Sequence, residues 1–208
     1  MTMEQIQAKM FERVPGKVLE KLSKSRIGIA GLGGLGSNIA WMLARTGTPT
    51  LVLVDFDRVE PGNLNRQQYF PEQIGMLKTK ALKENLMKIN PWLNIELYSE
   101  KVTEENSCNF FSGCQVVCEA LDDAAAKADF ITGMLGSKEK IPVVAASGMA
   151  GIGDANRIQT VKKMNHLFVC GDEESDYQEV EGMLAPRVNL VAAHQANQVI
   201  RLLMGEEQ

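Results

Sequence analysis

Residues 26–55 decide the fold. Arg26-Ile-Gly-Ile-Ala30 runs into Gly31-Leu-Gly33-Gly34-Leu-Gly36, and a helical stretch then leads to Thr50-Leu-Val-Leu-Val54 and Asp55. The two apolar runs have strand length. Between them Ile39, Trp41, Met42 and Leu43 recur at helical spacing over 36–45. Strand, glycine turn, helix and strand form a βαβ crossover, the unit from which parallel sheets are built.

The same alternation continues along the chain. A helix is expected over 78–89, stopped by Asn90-Pro91, then a strand at 94–98 and a helix over 102–111. A buried strand follows at 116–120, a helix at 124–135 and another strand at 142–146. Residues 157–162 and 166–169 alternate as late, antiparallel strands. Residues 4–24 form a helical lead-in broken at Pro15-Gly16, residues 171–182 an acidic mobile loop, and 189–204 a closing helix. The expectation is one α/β domain over 1–208. Its Rossmann-like βαβ units would form a mainly parallel sheet with helices on both faces, continued by antiparallel strands.

Bulk properties narrow the function. With 45% hydrophobic and 23% charged residues the chain reads as a soluble globular protein. A net charge of −4 lacks the basic footprint of non-specific nucleic-acid binding. No apolar run reaches the roughly 20 residues of a membrane span, and the polar first nine residues carry no secretory signal. A cytoplasmic location is expected. Cys108, Cys114, Cys118 and Cys170 include no CxxC pair, so they read as free thiols in a reducing compartment.

Glycines at the first turn let the backbone approach a phosphate, and the helix N-terminus behind them favours negative charge. Asp55 stands at the end of the next strand, where an acid receives ribose hydroxyls. Loop and acid together indicate a nucleotide without saying which one. The cluster Asn63-Leu64-Asn65-Arg66-Gln67 points to a nucleotide that reacts. A planar, permanently charged arginine there can grip phosphate oxygens and stabilise charge developing at phosphorus. Lys78 opens the next helix and can supply a second cation, although Lys80 and Lys83 in the same run make a surface lysine the plain alternative. Asp122-Asp123 follows the third core strand. Paired acids there suit Mg²⁺, whereas an Asp before Ala124-Ala-Ala-Lys127 also suits a helix cap.

In combination, GLGGLG, the strand LVLVDFDRVE, NLNRQ, the helix-opening lysine and the acid pair resemble the ThiF/MoeB/HesA family of adenylating enzymes, related to ubiquitin-activating enzyme. The segments 119–122 and 63–66 look closest to the short ThiF branch, which serves thiamine (thiazole) biosynthesis. The resemblance implies ATP and Mg²⁺. It also implies a small ubiquitin-like sulfur carrier protein ending in Gly-Gly, whose carboxylate attacks the α-phosphorus. Gly31, Gly33 and Gly34 would line the phosphate turn, and Asp55 would hold the ribose. Gly62, Asn63, Leu64, Asn65 and Arg66 would flank the triphosphate. Arg66, Lys78 and Asp122 would carry the catalysis, with Asp122, and Asp123 beside it, placing the metal.

Three departures stand out. Relatives that bind structural zinc use two CxxC pairs, which this chain lacks, so zinc is not expected. Gly62 replaces the usual serine, and Cys170 is the one cysteine near the acidic loop that could take part in sulfur transfer, a buried strand thiol being the alternative. A homodimer is implied, with Arg13 a candidate to reach the neighbouring subunit's phosphates. His166 and His194 suggest no catalytic triad. Two other readings stay open: an NAD-dependent oxidoreductase, for which no Tyr-x-x-x-Lys pair is found, and a non-catalytic binder of a ubiquitin-like protein.

Overall fold

The structure, a computed structural model, describes residues 1–176 and 182–206. Two helices, α1 (Met3–Met10) and α2 (Gly16–Leu22), precede the sheet, with Pro15 at the N-cap of α2. Then follow β1 (Arg26–Ala30), α3 (Gly34–Thr46), β2 (Thr50–Val54), α4 (Lys78–Ile89), β3 (Asn94–Tyr98), α5 (Glu104–Phe111) and β4 (Val116–Glu119). The chain continues through α6 (Ala124–Gly136), β5 (Val143–Ala146), β6 (Gln159–Met164), β7 (Leu167–Gly171) and α7 (Ala185–Leu203).

Seven strands form one sheet in the order β3-β2-β1-β4-β5-β7-β6. Every pairing is parallel except β6 with β7. Only one of the two late strands therefore runs against the sheet, since β7 pairs parallel with β5. Side chains alternate between faces, and both faces are buried. Ile27, Ile29, Leu51, Leu53 and Cys118 pack with α3, α4 and α7. Val52, Val54, Val117 and Val143 pack with Phe111 of α5 and Phe130 of α6.

The closing helix starts earlier than its apolar spacing suggests. Pro186 sits in its first turn, where a residue without an N–H leaves no hydrogen bond unmade. Of the acidic loop, Tyr177 to Glu181 lie outside the described residues. The loop's beginning is anchored: Asp172 pairs with Arg187, Glu173 with Lys163 and Glu174 with Arg157. Among the described residues no helix is long and apolar enough to cross a membrane.

Strand order reverses at β1, with β2 and β3 on one side and β4 and β5 on the other. Diverging connections at such a switch point open a crevice at the carboxyl ends of the strands. The glycine turn, Asp55 and the Asp122 segment follow β1, β2 and β4, three neighbouring strands. That places them together along one edge.

Candidate active site

The glycine turn is shaped by close backbone contacts. Gly31 has φ +87°, and a Cβ there would stand 2.6 Å from the Ala120 carbonyl oxygen. A Cβ on Gly36 would stand 1.9 Å from the Gly31 carbonyl oxygen, so the first turn of α3 lies directly on the loop. Gly33 caps α3 without any side-chain hydrogen bond. The unpaired amides of that first turn, with the helix dipole behind them, suit an anion such as phosphate.

Asp55 is buried beneath this turn. Its Oδ2 accepts from the Leu32 amide at 2.6 Å and its Oδ1 from the Asp57 amide at 2.7 Å. Burial pushes its carboxyl above the usual range, and Lys78 pulls the other way. Lys78 is only 7% exposed. Its ammonium reaches Asp57 Oδ2 at 2.8 Å, while Lys80 and Lys83 are exposed. The structure thus singles out one lysine of the run and sets it beside the acidic pair. Tyr69 completes the wall, its hydroxyl donating to the Leu32 carbonyl at 2.7 Å.

The polar cluster folds over the turn. Gly62 and Asn63 end a single helical turn, Pro61–Asn63, which the Asn63 side chain closes by accepting from the Glu60 amide at 3.0 Å. Leu64 tucks against the core. The Arg66 stem packs 3.7 Å from the Cβ position of Gly34, and its Nη1 donates to Gly62 O at 3.0 Å and to Asn65 Oδ1 at 2.8 Å. Gln67 brings its Nε2 to 3.7 Å from the Cβ position of Gly33. Its buried Oε1 has no hydrogen-bond partner among the described residues. The amides and cations of this crevice suit a polyphosphate, while the unanswered Gln67 acceptor suits a donor such as a nucleotide hydroxyl or amine.

The two acids after β4 divide. Asp123 caps α6, accepting from the Ala126 amide at 2.8 Å, so one of its oxygens is committed. Asp122 is exposed and makes no ion pair or hydrogen bond among the described residues. One such carboxylate beside phosphate oxygens suits Mg²⁺, which keeps most of its shell as water and phosphate. No group of three or more His, Cys, Asp or Glu stands together as a metal site among the described residues.

Two residues essential to this geometry carry no ligand-binding signature in the sequence. Glu119, wholly buried, accepts from the Leu121 amide at 2.8 Å and pairs with Lys127 at 2.5 Å. Lys127 also donates to the Ala146 carbonyl at 3.0 Å. Burial raises the Glu119 carboxyl, offset in part by Lys127. An acid within an apolar strand was the available signal. Asn38, on α3, is the other. Cys170 is fully buried, and burial pushes its thiol up to about 11. It is the buried strand thiol, without the exposed thiolate that sulfur chemistry needs. Arg13 lies two residues from Phe11, which packs against Gly47 ahead of β2, at the opposite end of the sheet from this chain's own glycine turn.

Comparison with known proteins places these features. The sequence model of the ThiF family matches residues 5–208. The tRNA threonylcarbamoyladenosine dehydratase of Escherichia coli K12 is 33% identical over 145 residues, 69% of this chain and 53% of that protein. The adenylyltransferase and sulfurtransferase UBA4 of Saccharomyces cerevisiae is 27% identical over 203 residues, 92% of this chain and 44% of that protein. The chain spans about half the length of the curated relatives it matches. The E. coli dehydratase solved in complex with ATP superposes with TM-score 0.87 at 22% identity, covering 99% of this chain and 98% of that one. E. coli MccB solved with ATP gives TM-score 0.71 at 19% identity, with 92% and 60% covered. At these identities the likeness is one of fold.

Proposed function

The chain belongs to the ThiF family, and from that premise we propose that it is an ATP-dependent adenylating enzyme that activates a carboxylate. The observation that carries this reading is the crevice itself. Arg66 lies over Gly34 on one side and buried Lys78 beside Asp55 on the other, two cations bracketing a phosphate turn. A redox site needs no such bracket. ATP in place of a dinucleotide is supported by the solved ATP complexes of similarly folded enzymes.

The carboxylate oxygen attacks the α-phosphorus. A new O–P bond forms, the bond to the bridging oxygen breaks, and pyrophosphate leaves with its electron pair. No general base is needed, because the attacking carboxylate is already ionised near neutral pH. The glycine-turn amides hold the phosphates and Asp55 the ribose hydroxyls. Arg66 meets charge developing at phosphorus, and Lys78, held ready by Asp57, meets the phosphate chain. Asp122, with Asp123 beside it, would hold Mg²⁺, whose chemistry is to neutralise phosphate charge.

We assign the carboxylate to the C-terminal glycine of a ubiquitin-like sulfur carrier ending in Gly-Gly, in thiamine (thiazole) biosynthesis. The yeast relative, named for adenylyl and sulfur transfer, aligns with 92% of this chain. An apolar groove of about 310 Å³, lined by Ile152, Leu184, Pro186 and Leu190, suits an extended small-residue tail. It lies near the site, since Val188 touches the Gly34 turn and the Met183 carbonyl meets Asn65. The enzyme is taken as a cytoplasmic homodimer, Arg13 serving the partner's phosphates.

A second reading follows from the 33% identity to the E. coli dehydratase. A threonylcarbamoyl group also carries a free carboxylate, which the same attack would activate on a tRNA. The net charge of −4 weighs against that substrate. ATP–pyrophosphate exchange separates the two. Exchange that requires a Gly-Gly carrier supports the first reading, exchange that requires threonylcarbamoyl-modified tRNA supports the second, and none with either refutes adenylation.

A further inference from the structure

Asn38 is an amide inside a helix that, Ser37 apart, presents apolar residues to the core, and it is only 1% exposed. Its Nδ2 donates to the Gly34 carbonyl at 2.6 Å and to the Arg66 carbonyl at 3.0 Å. Its Oδ1 accepts from Gln68 Nε2 at 2.6 Å. One residue earlier, Ser37 Oγ donates to the Gly33 carbonyl at 2.7 Å and accepts from the Gln68 amide at 3.2 Å. Asn85 of α4 holds the far side, donating to the Gln68 carbonyl at 2.8 Å, and exchanges hydrogen bonds with Gln73.

Every member of this chain of amides is tied to the next. Together they bolt the backbone of Arg66 and Gln68 to the first turn of the glycine helix. Buried polar groups so fully answered rigidify what they join.

We propose that Asn38 is the positioning residue for Arg66, fixing where along the phosphate turn the guanidinium is delivered. Arg66 has a long side chain whose Nη1 rests on its own loop. Its stem alone cannot set its register. The bond from Asn38 sets it at the backbone, and the 3.7 Å packing on Gly34 keeps the stem over the phosphate site. The assignment rests on Arg66 meeting phosphate, as proposed above.

The test is a double-variant cycle on Asn38→Leu and Arg66→Ala, read first as the ATP dissociation constant by calorimetry and then as exchange rate. Leucine fills the same space without the donors. In the parent protein Asn38→Leu should weaken ATP binding on the order of tenfold, the scale of a lost buried hydrogen bond that leaves its partner unanswered. In the Arg66→Ala background it should cost less than twofold, because the effect travels through Arg66. An equal loss in both backgrounds overturns the proposal, and so does no loss in either. Should Asn38→Leu fail to fold, Asn38→Ala decides the same cycle. ATP that binds without any exchange refutes adenylation and leaves the cycle on binding to judge Asn38.

Discussion

Gly36→Ala tests how the phosphate turn is built. The added methyl would stand 1.9 Å from the Gly31 carbonyl oxygen and 2.9 Å from its carbon, with Ile29 Cγ2 at 3.1 Å. A carbon and a carbonyl oxygen approach comfortably at about 3.3 Å, so roughly 1.4 Å of clearance must be found. The two nearest of these atoms are backbone, and Gly31 cannot retreat, since it lies against the Ala120 carbonyl. The start of α3 must therefore move away from the loop. Overpacking of this kind costs about 1–3 kcal/mol, which for a chain of this size lowers Tm by roughly 2–12 °C. The larger effect falls on the ligand. A misplacement of about 1 Å costs on the order of 10²-fold in rate, so ATP–pyrophosphate exchange should fall by about that factor, and ATP affinity measured by calorimetry should fall with it. Gly136→Ala, which meets nothing within 4 Å, should melt no lower than the parent. A Gly36→Ala protein that melts and binds ATP like the parent would refute the reasoning.

Arg66→Ala should lower ATP–pyrophosphate exchange by roughly 10²-fold, the scale of one lost charge-stabilising donor; near-normal exchange contradicts its role. Asp172 gives a pH dependence. Burial alone would raise its carboxyl, but the Ser175 and Glu174 amides, the Ser175 hydroxyl and Arg187 outweigh it and hold it at about 2. A carboxyl held low stabilises the fold above its ordinary value of 3.8 and loses that contribution as pH falls toward 2. Acid melts should steepen in that window, and Asp172→Asn should flatten them; identical acid limbs count against the anchor. Iodoacetamide under native conditions should alkylate half-buried Cys108 well before Cys170, as read by mass spectrometry. Rapid labelling of Cys170 would reopen a role for it in sulfur transfer.

Much of this arrangement is legible in the sequence because local rules and the fold agree. β1, β2, β3 and α4 start and stop where apolar runs meet glycines, acids or Asn90-Pro91, since backbone geometry and patterning select the same boundaries there. Lys78 is separable from Lys80 and Lys83 only in the fold, for helical spacing turns one inward and leaves two in water. Asp123 satisfies a cap rule and a metal rule equally well on paper, and the hydrogen bond to Ala126 commits one of its oxygens to the cap. Glu119, Asn38 and the Asp172–Arg187 pair are harder. Asn38 and Asp172 work through partners far along the chain, Glu119 through Lys127 eight residues on, and a buried polar residue shows no periodicity to mark it. Cys170 looked available beside an acidic loop, yet strand pairing on both sides of β7 encloses it.

The central claim is that a carboxylate attacks the α-phosphorus of ATP in the crevice between the glycine turn and Arg66. Carrier protein labelled with ¹⁸O in its terminal carboxylate tests it directly. After turnover with acyl transfer to a nucleophile, the account predicts that one labelled oxygen appears in AMP, with none in inorganic phosphate. Label in inorganic phosphate together with ADP, or unlabelled AMP, would contradict it.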